Sequence, residues 1–188
     1  MRRVTYSMGI SLDGYIAGPQ GDFEFTAPDE EAFQAVTDEL REVGVHLLGR
    51  RVYETMLYWE TADQDPSLGP AMLQWAALWK ALPKVVFSTT LSSVLGRNTR
   101  LASGSLAEEI ERLRAEPGEG EIAIGGATLA AEVAELGLVD EYRIRVYPVL
   151  VGGGVPYFSH RERREDLELV ECRTLSSKVV YSRYRVVH

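Results

Sequence analysis

Two adjacent glycines, Gly125 and Gly126, lie between a short apolar run and a segment rich in helix-forming residues. Glycine has no side chain, so the backbone of such a turn can approach a ligand closely. The first amides of the following helix have no partner within it and can bind an anion. The stretch from Gly125 through Ala127, Thr128 and Leu129 therefore predicts a phosphate-binding turn. The alternative is a tight turn whose glycines serve only to pack a strand against a helix.

Two common nucleotide-binding patterns are absent. Ala127 and Thr128 follow the glycine pair, so the G-x-G-x-x-G pattern of NAD enzymes is not present, and no acidic residue stands at the expected distance in a second strand. The chain also has no Gly-Lys-Ser/Thr, which argues against nucleotide hydrolysis on a Walker-type loop.

Two arginines follow another glycine. Gly49, Arg50, Arg51 and Val52 come directly after an apolar run and begin a predicted helix. Positive charge at a helix N-terminus opposes the helix dipole and costs about 0.3 to 1 kcal/mol at an exposed site. An anion bound between the two guanidinium groups would explain this arrangement. Alternatively, both arginines pair with surface carboxylates.

Hydroxyl side chains follow a third apolar run. Ser88 and Thr89 come directly after residues 85–87, where they can donate to a phosphate or to ribose oxygens. Such residues are also common in turns, so this signal is weak alone. In an open α/β sheet, however, ligands bind along the edge where the strands have their carboxyl ends. We therefore expect the three junctions to lie together at one site.

Length and composition limit the possible classes of protein. The 188 residues, of which 45% are hydrophobic, are enough for one sizeable core, so we expect a single domain over residues 1–188. A net charge of -8 without a basic run argues against nucleic acid as a partner. Cys172 is the only cysteine, which favours a reducing compartment. No segment has the pattern of a signal peptide or the roughly 20 apolar residues of a membrane helix. We expect a cytoplasmic protein without a membrane partner.

Alternation of strands and helices indicates the fold class. Strands are predicted at residues 3–10, 43–48, 84–87, around Leu101, and at 122–124, 141–150, 167–172 and 179–187. A charged loop at 161–166 precedes the last two, which are predicted to be antiparallel. This order predicts an α/β fold of three layers, with a mostly parallel central sheet and antiparallel C-terminal edge strands.

Five helices are predicted between these strands. The first has a capping-box-like start at Thr26 and Asp29 and carries Leu40 on its apolar face. The others cover residues 49–59, the apolar positions from 72 to 82, residues 106–113, and the segment from the glycine pair to about residue 136. Trp75 and Trp79, four residues apart, are expected in the core rather than stacked on a ligand.

The chain resembles the dihydrofolate reductase-like family, and most closely the reductase domain at the C-terminus of the bifunctional riboflavin-biosynthesis deaminase/reductase. The match spans nearly the whole chain in order. It rests on residues 11–17 (SLDGYIA), 49–54 (GRRVYE), 88–89 (ST), 124–129 (IGGATL) and 148–158 (PVLVGGGVPYF). The zinc deaminase motifs H-x-E and P-C-x-x-C are absent, so no deaminase activity is expected.

This resemblance implies an NADPH-dependent reductase of the dihydrofolate reductase-like fold. The resemblance assigns Arg50, Arg51 and Val52 to the adenosine-side phosphates, and Ser88 and Thr89 to the adenosine 2′-phosphate. It assigns Gly125, Gly126, Ala127 and Thr128 to the pyrophosphate, and Ile16 and Ala17 to the nicotinamide. The extra cations and hydroxyls suit a 2′-phosphate, so NADPH is expected rather than NADH.

Hydride transfer requires that cofactor and acceptor be held in contact, and reduction also needs a proton from water or from a carboxylic acid with a raised pKa. The candidate acids are Asp13, Asp29 and Glu30. None of them can be aligned securely with the acid of dihydrofolate reductases. For Asp13 the alternative is an Asx turn with Gly14. The triple glycine at 152–154 is expected to form either a flexible loop beside the ligand or a tight connection between strands.

The expected substrate is a small heterocycle, either a riboflavin-pathway pyrimidine or a pterin-like compound. Three other functions remain open: a protein that binds NADPH without turnover as a sensor or store, a flavin-linked partner protein, and a scaffold that binds no nucleotide. Scattered histidines give no support for a metal site. The last two strands leave an apolar edge, so we expect a homodimer formed across it.

Overall fold

The computed structural model describes residues 1–159 and 164–187. Its centre is an eight-stranded sheet in the order β5-β4-β3-β6-β1-β7-β10-β9, and a small second sheet pairs β2 with β8. The strands are β1 (Val4–Ser11), β2 (Tyr15–Ala17), β3 (Val43–Gly49), β4 (Lys84–Phe87), β5 (Thr99–Leu101), β6 (Glu121–Gly125), β7 (Glu141–Tyr147), β8 (Val155–Pro156), β9 (Leu167–Thr174) and β10 (Val180–Val186). Six neighbouring strands of the large sheet, β5, β4, β3, β6, β1 and β7, are parallel to one another. Strand β10 runs antiparallel to both of its neighbours, β7 and β9. The predicted fold class is confirmed.

Helices cover both faces of the sheet. They are α1 (Glu30–Glu42), α2 (Arg50–Met56), α3 (Tyr58–Thr61), α4 (Pro70–Ala81), α5 (Leu106–Ala115) and α6 (Ala127–Glu135), with short 3-10 turns at Glu24–Thr26 and Ala62–Gln64. Residues of α5 and α6 share one apolar core with the sheet, and residues of α1, α2 and α4 share the other. Every residue of β6 is buried, which is typical of a central parallel strand. Trp75 and Trp79 lie in the second core, as expected.

The predicted capping box at Thr26 is wrong. The N-cap of α1 is Asp29, whose carboxylate accepts a hydrogen bond from the amide of Ala32 at 2.9 Å. The hydroxyl of Thr26 instead donates to the carbonyl of Phe23 at 2.7 Å. Pro28 explains the difference, because the residue before a proline avoids the helical conformation and Ala27 is extended at that point.

Two other boundaries differ from those predicted. The helix that begins after Gly49 does not continue through Trp59, because it divides at Leu57, where the amide of Glu60 bonds to the carbonyl of Leu57 at 3.0 Å in an i→i+3 pattern. The strand predicted for residues 141–150 ends at Tyr147. Pro148 follows and has no N–H to donate to a strand ladder. Part of the charged loop predicted at 161–166, residues 161–163, lies outside the described residues.

Buried ion pairs fix α1 against the sheet. Glu39 of α1 accepts from the guanidinium of Arg145 on β7 at 3.0 Å and from the hydroxyl of Ser7 on β1 at 2.6 Å. Burial alone would raise the pKa of Glu39, but Arg145 and the hydrogen bond from Ser7 hold it below its ordinary value. Beneath α1, Arg143 is also buried and bonds to Glu121 and to Glu141, both at 2.7 Å. The bonds of Glu39 thus join α1 to β1 and β7, while those of Arg143 to Glu121 and Glu141 lie within the sheet.

Glu39→Gln should lower the free energy of unfolding at pH 7 by about 3 kcal/mol, because it leaves the buried Arg145 without its counter-charge. The lowered pKa of Glu39 means that this stabilisation is complete above the unfolded-state pKa of 4.5 and is lost as pH falls through the folded-state value. Urea titrations at several pH values measure both effects. Glu111→Gln, at an exposed position of α5, is the control. A deficit that stays constant as the pH falls from 7 to below 4 would contradict this role.

Candidate functional site

The three predicted junctions lie side by side. Strands β4, β3 and β6 are neighbours in the sheet, with Gly49 opposite Phe87 and Leu48 opposite Gly125. The turns that begin at Arg50, Ser88 and Gly126 therefore follow adjacent strands at the same carboxyl edge. This convergence confirms the expectation from the sequence, whereas the binding roles of the individual residues stay predictions.

Each member of the glycine pair has its own structural requirement. A Cβ added to Gly125 would lie 2.8 Å from Cδ2 of Leu48 and 3.0 Å from Cε1 of His46, so packing alone demands glycine there. Gly126 has a φ of +110° and is the N-cap of α6, where it provides no side chain to cap the first turn. Packing thus accounts for Gly125, as the alternative interpretation holds, but it does not account for the open helix start at Gly126.

The residues that follow the glycine pair differ in exposure. Ala127 is half-buried and Thr128 is exposed, so both are available at the edge of the sheet. The side chain of Leu129 packs in the core of the α6 face, which leaves only its backbone amide for a ligand.

The two arginines behave differently. Arg50 donates through Nε to Glu54 and through a terminal nitrogen to the hydroxyl of Thr90, each at 2.7 Å. Arg51 is exposed, and its guanidinium pairs with no side chain in the described part of the chain. Pairing with a surface carboxylate therefore explains Arg50 but not Arg51. Arg51 is a cation at the edge with its donors available.

A hydroxyl cluster joins the β3 and β4 junctions. The Ser88 hydroxyl accepts from the amides of Thr90 and Leu91 at 3.2 and 3.1 Å and lies 3.3 Å from the Thr90 hydroxyl, which is itself bonded to Arg50. Thr89 is exposed beside them. The family resemblance assigned Ser88 and Thr89 to the cofactor but not Thr90, the third member of the same hydroxyl run.

The segment predicted to face the nicotinamide forms β2. This strand follows the end of β1, which lies at the same carboxyl edge of the sheet. In β2, Ala17 pairs with Val155 of β8, and Ile16 is half-buried against the main core. A Cβ on Gly154 would lie only 2.0 Å from the carbonyl oxygen of Ala17. The triple glycine is therefore a tight connection between strands, which was one of the two alternatives.

Asp13, one of the three candidate acids, is bonded to a distant loop. Its carboxylate accepts from the amides of Val151 at 3.2 Å and Gly152 at 2.8 Å. Hydrogen bonds from the Ser11 hydroxyl and from these amides lower the pKa of Asp13, whereas a proton donor needs a raised pKa. The Asx turn at Asp13-Gly14 is also not found, because the amide of Tyr15, which would close it, donates to the hydroxyl of Ser11 at 3.0 Å.

The other two candidate acids open α1. Asp29 caps the helix and also accepts from the hydroxyl of Ser176 at 3.1 Å, while Glu30 is the first residue of the helix. Both residues are exposed. Proton donation by Asp29 or Glu30 stays a prediction.

None of the helices formed by residues 1–159 and 164–187 combines the length and the apolar character needed to cross a bilayer. The same residues bring together no group of three His, Cys, Asp or Glu side chains that could hold a metal ion.

The layers and the strand order define an α/β protein of the dihydrofolate reductase-like fold. Residues 2–181 match the model of one family, and the chain belongs to it: the RibD C-terminal domain family. Two Bacillus subtilis (strain 168) proteins, both named only as uncharacterized, are similar in sequence. YyaP is 31% identical over 182 residues, which cover 95% of this chain and 92% of YyaP. YwjB is 24% identical over 169 residues and 89% of each chain.

Solved structures show the same fold. A putative riboflavin biosynthesis protein from Shewanella sp. PV-4 superposes with a TM-score of 0.76 at 22% identity and covers 100% of both chains. The deaminase/5-amino-6-(5-phosphoribosylamino)uracil reductase of Thermotoga maritima gives 0.70 at 15% identity, over 99% of this chain and 57% of that one. RibD of Acinetobacter baumannii gives 0.71 at 18% identity, over 100% and 58%. At these identities the likeness establishes the fold.

Proposed function

We propose that this protein is an NADPH-dependent reductase that transfers a hydride to a small heterocycle, either a riboflavin-pathway pyrimidine or a pterin-like compound. The observation that carries the proposal is the convergence of three turns at one edge of the sheet: the start of α2, where the Arg51 guanidinium pairs with no side chain among the described residues, the hydroxyl cluster of Ser88 and Thr90, and the uncapped start of α6 at Gly126. Membership of the RibD C-terminal domain family supports it. So does the structural similarity to the Thermotoga maritima protein, a deaminase/5-amino-6-(5-phosphoribosylamino)uracil reductase.

The chain fits a dinucleotide with an additional phosphate. In the proposal, the amides that begin α6 after Gly126 bind the pyrophosphate, because a helix start without a side-chain cap leaves N–H donors available. Arg51, with Ser88 and Thr89, binds the 2′-phosphate through charge-assisted hydrogen bonds.

The acceptor side has a different task. Bound NADPH supplies the hydride, so the chain has to hold the nicotinamide and the heterocycle in contact. Ile16 and Ala17 on β2 form the wall against the nicotinamide. A proton then comes from water or from one of the carboxylates at the start of α1, Asp29 or Glu30.

Oxidation of NADPH in the presence of a panel of pyrimidines and pterins separates an enzyme from a protein that binds the cofactor without turnover. We expect one class of heterocycle to increase the rate of NADPH consumption above that of the cofactor and protein alone. Binding of NADPH without consumption by any member of the panel would favour the sensor or store instead.

The acceptor side of the edge carries negative charge. Residues 11–31 contain six carboxylates and neither lysine nor arginine, residues 148–159 contain no charged side chain, and the β9–β10 turn at 175–179 adds only Lys178. A phosphate group would be repelled by this surface. On the acceptor side Lys178 and Arg173, which lies close to Glu31, offset part of the charge of the six carboxylates, whereas Arg50 and Arg51 lie on the proposed cofactor side.

We therefore expect an acceptor without a phosphate group to be preferred. The matched pair is 5-amino-6-(5-phosphoribosylamino)uracil and the same compound after removal of its phosphate. The dephosphorylated compound should have a kcat/KM at least tenfold higher, and added salt should reduce the difference because it screens the repulsion. A higher kcat/KM for the phosphorylated compound would contradict this expectation.

We also propose that the protein is a homodimer formed across β9. This strand is one of the two edges of the sheet, and its side chains Leu167, Leu169 and Val170 are exposed. A strand edge with apolar side chains is a ready partner for a second copy of itself.

Light scattering at micromolar concentration should give the mass of a dimer, and Leu169→Lys should convert it to a monomer, because it places a charge in the apolar contact. Leu95→Lys, at another exposed leucine on a loop, should leave the dimer intact. A monomeric wild-type protein at this concentration would overturn the proposal.

A further inference from the structure

Asp13 connects two loops that are 138 residues apart in the chain. Its Oδ1 accepts from the amide of Val151 at 3.2 Å and its Oδ2 accepts from the amide of Gly152 at 2.8 Å. The same two loops share backbone bonds on either side of this contact, from the Leu12 amide to the carbonyl of Val149 at 2.8 Å and from the Tyr157 amide to the carbonyl of Gly14 at 2.9 Å. Asp13 is exposed, so core packing does not require a carboxylate at this position.

The loop held by Asp13 has little rigidity of its own. Gly152, Gly153 and Gly154 have φ values of +76°, +150° and +121°, all in the region that side chains rarely adopt. Three consecutive glycines have many accessible conformations, so fixing one of them costs more conformational entropy than for other residues. Two charge-assisted hydrogen bonds from one carboxylate are a suitable means of selecting the observed conformation.

Movement of this glycine loop would be transmitted to β2. Gly154 lies so close to the carbonyl of Ala17 that a Cβ on it would be 2.0 Å from that oxygen, and the next residue, Val155, pairs directly with Ala17. The strand β2 has only three residues and pairs with the two-residue strand β8. The position of Ile16 and Ala17 therefore depends on the conformation of the glycine loop.

We propose that Asp13 is a positioning residue for the reductase: its carboxylate fixes the glycine loop and, through that loop, holds Ile16 and Ala17 against the nicotinamide. This inference rests on the proposed function. It replaces the role of proton donor that was expected for Asp13. The lowered pKa agrees with it, since a carboxylate that stays ionised keeps both of its acceptor oxygens.

Asp13→Asn tests the link in the full-length protein, because it keeps the size of the side chain but removes one acceptor and the charge. Amide hydrogen exchange needs neither cofactor nor substrate. Exchange in residues 12–17 and 149–157 should become at least tenfold faster, with the rest of the chain unchanged. Asp38→Asn, on the exposed surface of α1, is the matched control and should change neither segment. Unchanged exchange in both segments of Asp13→Asn would overturn the link.

The fluorescence of bound NADPH tests the positioning step without turnover. Asp13→Asn should bind NADPH within threefold of the wild-type affinity, because the proposed phosphate contacts are intact, yet lose at least half of the change in nicotinamide emission seen on binding. Asp13→Glu, which keeps the carboxylate, should recover part of it. A wild-type emission change in Asp13→Asn would overturn the positioning role. Failure of the wild-type protein to bind NADPH would instead refute the proposed function, and the exchange result would still decide the link.

Discussion

Arg51→Ala should weaken the binding of NADPH by about 10- to 100-fold and leave the binding of NADH within about threefold. A hydrogen bond to a charged group contributes about 1.5 to 3 kcal/mol, and 1.4 kcal/mol corresponds to a factor of ten in affinity. We expect Arg51 to contribute this binding free energy because its guanidinium pairs with no side chain among residues 1–159 and 164–187. Isothermal titration with both nucleotides at one salt concentration measures the change.

A matched arginine variant controls for the loss of positive charge. Arg41→Ala removes a guanidinium from the exposed side of α1, where it pairs with Asp38. It should leave both affinities close to those of the wild-type protein. If Arg51→Ala weakened NADPH and NADH equally, Arg51 would not contact the 2′-phosphate.

Gly126→Ala should weaken the binding of both nucleotides by at least tenfold and lower the free energy of unfolding by about 1 to 3 kcal/mol. A side chain at a φ of +110° is strained by an amount of this order, and the added Cβ would lie 3.3 Å from Cγ2 of Val52. Because the proposed pyrophosphate contact is common to NADPH and NADH, the variant should not discriminate between them.

Gly69→Ala is the matched control for the glycine substitution. Gly69 is the N-cap of α4, has a φ of -73°, and a Cβ added to it would meet no atom within 4 Å. Its effect on nucleotide binding should be negligible. Wild-type affinity for both nucleotides in Gly126→Ala would show that the turn does not bind the pyrophosphate.

The carboxyl-edge junctions could be predicted from the sequence because each depends on local features. An apolar run followed by Gly49 and Arg50, or by Gly125 and Gly126, specifies a strand end and a turn within a few residues. Parallel strands then bring such turns to one edge, whatever the details of the helices between them. The core positions of Trp75 and Trp79 likewise follow from helical spacing.

The contacts that could not be predicted are those that join distant parts of the chain. The partners of Asp13 lie in the loop at 151–152, and those of Glu39 lie on β1 and β7. No local pattern encodes such pairs, because they depend on how whole elements pack. The interpretation of Asp13 as an acid therefore missed its bonds to backbone amides.

Some errors were nevertheless within reach of local reasoning. Pro28 limits the start of α1 and Pro148 limits the end of β7, and both effects depend only on the covalent structure of proline. The different roles of Arg50 and Arg51 are partly local too, because Glu54 is four residues after Arg50 and lies on the same face of α2.

Thermal unfolding in the presence of NADPH, NADP, NADH and FMN, each at the same excess, tests the central claim most directly. A ligand at about 100 times its Kd adds about 2.7 kcal/mol to the stability of the folded state. We predict that NADPH and NADP raise the Tm by several degrees, that NADH raises it much less, and that FMN leaves it unchanged. An equal shift with NADH, or no shift with any of the four compounds, would contradict a site built for a dinucleotide with a 2′-phosphate.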